Sequence, residues 1–124
     1  MMQKPLTIIR DNIQNESVLF TGVSGGADSI YLLHLLNFEI SKKKAELKVI
    51  HVNYNLRGEE SKRDEEIVRE YCQKEGLELF VKSCKNTPRG NTEEWARNIR
   101  MDFFKEKLSE FSASKIFLGH NLND

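Results

Sequence analysis

The sequence predicts an α/β protein built on a parallel sheet, with a glycine-rich loop after its first strand. Three observations carry this expectation. Short β-prone runs alternate with longer helical segments along the chain, and a parallel connection between strands needs a crossover of that kind. A glycine pair sits at the first strand-to-helix junction, Ser24-Gly25-Gly26-Ala27-Asp28-Ser29. The polar residues with chemical potential follow the strands, which is where ligands gather in such sheets.

Taken in order, Val18-Leu19-Phe20-Thr21-Gly22-Val23 is a short apolar run that ends in a Gly-rich turn. Ala27 to about Phe38 is rich in helix formers and mostly apolar, which predicts a buried helix. Leu47 to Val52 reads as a second buried strand. Glu59 to Lys74 is charged, with Ile67, Val68, Tyr71 and Cys72 at helical spacing and Gly76 as its stop. Leu77 to Val81 makes a third strand. Asn91-Thr92-Glu93-Glu94 supplies an N-cap and an acidic first turn for a helix reaching about Phe111. Lys115 to Gly119 forms a fourth strand, and Leu6 to Ile13 a further short helix. A parallel sheet would continue past Asp124, so the expectation is a truncated fold.

Bulk properties bound the rest. The chain has 124 residues, enough for one domain and a genuine core, with no room for a second. It carries 19 basic and 19 acidic residues, so composition offers no basic surplus for gripping nucleic acid. The run Lys42-Lys43-Lys44 reads as a solvated turn. No apolar run is long enough to span a bilayer, and Met1-Met2-Gln3-Lys4-Pro5 lacks a secretory apolar core, so the expected location is cytoplasmic, without a membrane partner. The cysteines, Cys72 and Cys84, have no Cys-x-x-Cys or metal-ligand spacing and read as reduced, semi-buried residues. The oligomeric state stays open, a homodimer included.

The Ser24–Ser29 hexapeptide carries the chemistry. Its two glycines permit positive φ and close backbone approach, and consecutive N–H groups at a helix start can form an anion nest. Ser24 and Ser29 could add hydroxyl donors. Asp28 makes sense beside phosphates if Mg²⁺ bridges the two. The plain alternative is a Gly-Gly turn before an acidic first helical residue. It is neither a Walker A loop nor a dinucleotide fingerprint.

Ser-Gly-Gly-Ala-Asp-Ser resembles the Ser-Gly-Gly-x-Asp-Ser signature of the PP-loop, or N-type, ATP pyrophosphatases. That resemblance implies an adenine nucleotide α-hydrolase-like, Rossmann-like three-layer fold over residues 1–124. It also implies cleavage of ATP between its α and β phosphates, with the loop holding the pyrophosphate and AMP passing to a carbonyl oxygen. Three further segments are similar to the tRNA(Ile)-lysidine synthetase branch. His51-Val52-Asn53-Tyr54-Asn55-Leu56-Arg57 resembles His-Val-Asn-His-Gly-Leu-Arg, with Tyr54 and Asn55 replacing the commoner His-Gly pair. Asn91 to Arg100 resembles Asn-x-Glu-x-x-Ala-Arg-x-x-Arg. Leu118 to Asp124 resembles Ala-His-His-x-Asp-Asp, with Asn121 and Asn123 in place of the second His and first Asp.

From this resemblance come the expected roles. Ser24, Gly25, Gly26, Ala27, Asp28 and Ser29 would bind pyrophosphate, with Asp28 on Mg²⁺. His51, Val52 and Asn53 would lie beside the adenine, although a strand-end core histidine is the bland reading of His51. Arg97 and Arg100 share a helix face at i and i+3 and would stabilise developing charge; salt bridging of Arg97 to Glu93 is the alternative. Trp95 reads as a packing residue. His120 and Asp124 would lie near the activated base or the lysine. The implied substrates are ATP, L-lysine and a tRNA(Ile) with a CAU anticodon. A tRNA thiolase, an amide-forming synthetase of the NAD type and a non-catalytic nucleotide-binding module are the rivals. The first of these generally needs cysteine partners of a kind this sequence lacks.

Overall fold

The computed structural model describes residues 18–43, 45–111 and 115–118. Its elements are β1 (Val18–Gly22), α1 (Ala27–Ser41), β2 (Glu46–Asn53), α2 (Glu59–Glu75), β3 (Glu78–Ser83), α3 (Thr92–Phe111) and β4 (Lys115–Leu118). The expected helix over Leu6 to Ile13, Lys44, and the site candidates His120, Asn121, Asn123 and Asp124 lie outside the described residues.

The strands form one parallel sheet in the order β3-β2-β1-β4. The chain therefore steps outward from β1 to β2 to β3, then returns across the sheet to place β4 on the far side of β1. Right-handed crossovers put helices made on the outward and return paths on opposite faces. The packing agrees. Leu33, Leu36 and Ile40 of α1 and Val68 and Cys72 of α2 pack with Leu19, Leu47 and Val49. Phe103 and Phe104 of α3 pack with Phe20 and Ile50 on the other face. Alternate residues of β1 and β2 thus feed two separate cores, so apolar residues occupy both faces of each strand. Each fully buried Leu or Phe contributes about 1.5–3 kcal/mol.

The helix stops and starts have local causes. Gly76 ends α2 at φ 68°. There Leu77 N–H donates to Cys72 C=O at 2.9 Å and Gly76 N–H to Gln73 C=O, the paired bonds of a Schellman end. Asn91 caps α3, its Oδ1 accepting from Glu94 N–H at 3.1 Å. The helix α1 is less buried than expected: Tyr31 and Phe38 are exposed, because only one face of it meets the sheet. Lys48 is a buried cation within β2, paired with Glu46 at 2.8 Å and with Glu78. Burial alone would lower its pKa, but the two carboxylates outweigh that and hold it above the usual lysine value.

Candidate nucleotide site

The return of the chain makes a topological switch between β1 and β4, and in open α/β sheets the ligand crevice forms beyond the strand ends at such a point. The Ser24–Ser29 loop leaves β1 there. A cleft of about 190 Å³ opens beside it, lined by residues that include Val23, Ser24, His51, Tyr54, Arg57 and Arg100.

Of the loop's two glycines, only Gly25 uses glycine's conformational freedom. It lies at φ 95°, and a Cβ built on it would stand 2.7 Å from both Asp64 Cβ and Asp64 O. The loop therefore lies directly on the backbone of α2. Gly26 is extended at φ −72° and ψ 163°, and a Cβ there would meet only Ser24 Oγ, at 3.6 Å. The expectation that both glycines serve positive φ is corrected to one.

The loop's serines bind the loop itself. Ser29 Oγ donates to Gly26 C=O at 3.0 Å and accepts from Gly25 N–H at 3.1 Å and from Ser24 Oγ at 3.1 Å. Ser24 Oγ also accepts from Gly26 N–H at 3.3 Å. Ser29 is buried, so it works as a staple rather than as a donor presented outward. The free donors are the first-turn N–H groups of α1 at Ala27, Asp28 and Ser29, which have no carbonyl one turn earlier to bond. Asp28 is exposed in that first turn and has no ion pair among the described residues. A solvated carboxylate beside an anion nest is a donor set that fits Mg²⁺, which typically takes one or two carboxylates together with phosphates and water.

The β2 side of the cleft is organised by His51, which is 3% exposed. Its Nδ1 lies 2.7 Å from Val23 C=O. A carbonyl only accepts, so Nδ1 carries a proton and donates. Nε2 is buried without a partner. Val23 N–H continues the β1–β2 ladder to Ile50 C=O at 2.9 Å, but no backbone bond joins Val23 C=O to Val52 N–H. The imidazole binds that carbonyl at the point where the ladder ends. By the alternation of the ladder, Val52 N–H and C=O face the β1 side and so remain open toward the cleft. Asn53 is fully engaged: Nδ2 donates to Glu65 Oε1 at 3.0 Å and Oδ1 accepts from Asn55 N–H at 2.9 Å. Those bonds, Asn53 first and Arg69 after it, hold the Glu65 carboxyl below the usual range against the upward pull of burial.

Asn55 explains itself as a replacement for glycine. Its φ is 55°, the left-handed region that Asn tolerates best among non-glycine residues. Its Nδ2 also donates to Ser83 Oγ at 3.2 Å and to Cys84 C=O, tying this turn to the end of β3. Trp95 packs edge-on against Tyr54, with ring centroids 5.9 Å apart, as expected of a packing residue. Arg57 lies within reach of Asp64 at 3.6 Å and Glu60 at 3.7 Å.

The two α3 arginines separate. Arg100 lines the cleft, whereas Arg97 is exposed and is not among the residues that line it. The shared face expected at i and i+3 does not bring both guanidinium groups into one cavity, because the helix edge falls between them. Nor does Arg97 pair with Glu93 among the described residues. Sequence reasoning singled out neither Tyr54 as a cleft wall nor Asp64 as the seat of Gly25. The only signal for Tyr54 was its place in the resembling segment.

Comparison with known proteins agrees with this geometry, because the PP-loop domain matches residues 1–124. The chain belongs to the PP-loop domain family. Among solved structures, this PP-loop chain is similar in fold to the U34-tRNA thiolase NcsA from Methanococcus maripaludis, solved with its 4Fe-4S cluster. The TM-score is 0.79 at 21% identity, over 97% of this chain and 45% of that one. Among curated proteins it is 38% identical over 125 residues to the tRNA(Ile)-lysidine synthase of Clostridioides difficile, covering 95% of this chain and 27% of the relative. It is 42% identical over 103 residues to that of Solibacter usitatus, covering 83% and 22%. The bifunctional protein TilS/HprT of Listeria monocytogenes is 34% identical over 92% of this chain and 18% of its own length. The PP-loop chain thus spans roughly a quarter of the length of the first two relatives. No described helix is long and apolar enough to cross a membrane.

Proposed function

We propose that this chain is the ATP-activating core of a tRNA(Ile)-lysidine synthase, a single PP-loop domain working in the cytoplasm. The C2 oxygen of the wobble cytidine in a CAU anticodon attacks the α-phosphorus of ATP, and pyrophosphate leaves. The ε-amine of L-lysine then attacks C2, and AMP leaves. The protein's part is positioning and charge stabilisation.

The observation that carries this reading is one cleft, at the switch point, whose lining runs from Ser24, the first residue of the phosphate loop, to Arg100. The first-turn N–H groups of α1 receive the β and γ phosphates, with the loop backbone held in shape by the Ser29 staple. Asp28 holds Mg²⁺, which supplies neutralisation of phosphate charge. The open Val52 N–H and C=O match the paired acceptor and donor on the adenine edge. Arg100 offsets negative charge growing on the α-phosphate. The names of the curated relatives support the lysidine substrate over its rivals.

The cysteines weigh against sulfur transfer. Cys72 is buried in the core, and burial pushes its thiol up to about 11. The test is transfer of labelled lysine to a CAU-anticodon tRNA, with ATP and the longest natural protein that carries this chain. Label should appear on that tRNA and not on one with uridine at the first anticodon position. Absence of label from a folded, ATP-binding protein would remove the lysidine assignment.

A further inference from the structure

Among the described residues, three buried side-chain atoms lack a hydrogen-bond partner: His51 Nε2, Tyr54 Oη and Arg100 Nε. All three belong to residues that line the same cleft. A buried polar atom left unpaired is costly, and such atoms are rare enough that three around one cavity need a common cause. Two of them are complementary. Arg100 Nε–H can only donate, and a phenolic oxygen can accept.

Tyr54 is held rigidly on three sides. Its ring meets Trp95 edge-on, its carbonyl side leads into the left-handed Asn55, and Asn55 is tied to Cys84 and Ser83. Burial raises the pKa of the Tyr54 hydroxyl, and Arg100 pulls it back, by its charge and by a side-chain contact that falls short of a well-formed hydrogen bond. The hydroxyl is thus a fixed point beside a side chain with several rotatable bonds.

We propose that Tyr54 is the positioning residue of Arg100: when nucleotide enters the cleft, Arg100 Nε–H closes onto Tyr54 Oη, which aims the outer guanidinium nitrogens at the phosphates. On closure the Tyr54 proton stays free to donate to an acceptor oxygen in the cleft. Aiming matters because a guanidinium recognises phosphate through a planar pair of N–H groups, so a rotated fork loses half of its contacts. The commoner His at this position would offer a ring nitrogen in the same acceptor role.

This inference rests on the reading of Arg100 as the charge-stabilising group, and the experiment separates the two. The first readout is nitrogen-15 NMR of arginine Nε–H signals with α,β-methylene ATP as probe. In the wild type, Arg100 Nε–H should become a resolved, slowly exchanging signal on adding the probe; in Tyr54→Phe it should not. The second is tRNA-dependent pyrophosphate release. Tyr54→Phe should lower kcat roughly tenfold or more, the worth of one hydrogen bond to a charged group, with KM for ATP within about twofold. Tyr54→His should recover most of the loss. In an Arg100→Ala background, Tyr54→Phe should cost nothing further, since the group it aims is gone. Unchanged NMR behaviour or unchanged kcat in Tyr54→Phe overturns the positioning role. An Arg100→Ala protein that turns over at the wild-type rate overturns the reading beneath it instead.

Discussion

Gly25→Ala should unfold the protein's phosphate loop at a cost that Gly26→Ala does not share. The added methyl at residue 25 meets two penalties. At φ 95° an L side chain lies outside its comfortable region, which costs roughly 1–2 kcal/mol. The new Cβ also stands 2.7 Å from Asp64 O and 2.9 Å from Asp64 Cα. Those are backbone atoms of α2 that cannot swing aside, and overpacking of this kind costs about 1–3 kcal/mol. Together they reach about 2–5 kcal/mol, a large part of a stability that for such domains is about 5–15 kcal/mol. At residue 26 the backbone already suits alanine, and the nearest atom is 3.6 Å away. The entropic gain of about 0.4–1 kcal/mol is offset by alanine's poorer fit at a helix N-cap. Urea unfolding followed by circular dichroism reads the difference. With a slope of about 1–3 kcal/mol per molar urea, Gly25→Ala should lower the midpoint by about 1 M or more, and Gly26→Ala by less than about 0.5 M. Equal shifts in the two variants would refute the claim that the loop is seated on Asp64.

Further expectations follow from the same geometry. Asp28→Asn should keep its melting temperature, since the carboxylate is solvated and unpaired, yet lose roughly a hundredfold or more in Mg²⁺-dependent pyrophosphate release. Wild-type turnover in that variant would end its metal role. Arg97→Lys should stay within about threefold of wild-type turnover whereas Arg100→Lys should fall by at least about tenfold, because only Arg100 lines the cleft and its planar fork is not reproduced by an ammonium; equal effects would contradict the separation of the pair. Glu65 has a folded pKa below its unfolded one, so its stabilising contribution is present above the unfolded value and is lost as pH falls through the folded one. Glu65→Gln should therefore lose less stability than the wild type between pH 7 and pH 3, and parallel losses in urea midpoint would count against the Asn53–Glu65 bond. Both cysteines should resist iodoacetamide in the folded state and react in denaturant, because Cys72 and Cys84 are buried and burial raises both thiols. Fast alkylation of the native protein would reopen the sulfur-transfer reading.

Much of the architecture was legible because the chain punctuates itself with local chemistry. Gly76 and Asn91 act within a turn of where they stand, so a stop and a cap could be read without knowing the neighbours. The parallel sheet was legible from the alternation of short strands with longer helices, since each parallel connection needs a crossover. What stayed hidden depends on contacts far apart in sequence. Nothing near Gly25 says that Asp64 will press against it, and nothing near Arg97 and Arg100 says where the rim of the cleft crosses α3. Ser29 looked like a donor for phosphate because its hydroxyl had no visible competitor, yet Gly25 N–H and Gly26 C=O both claim it. His51 shows the opposite case. The core-histidine reading and the site reading were both sound, because a buried ring that takes one carbonyl can also shape what its neighbour presents.

That last feature bears on how such a pocket endures change. The β1–β2 ladder ends where His51 binds Val23 C=O, and a donor and an acceptor of Val52 stand there as bare main chain. A contact surface made of peptide groups has no side chain that a substitution can remove. Replacement of Val52 by Ile or Thr alters the filling behind the surface but not its pattern of charge. Recognition of this sort is inherited with the topology, so the sequence around it is free to drift.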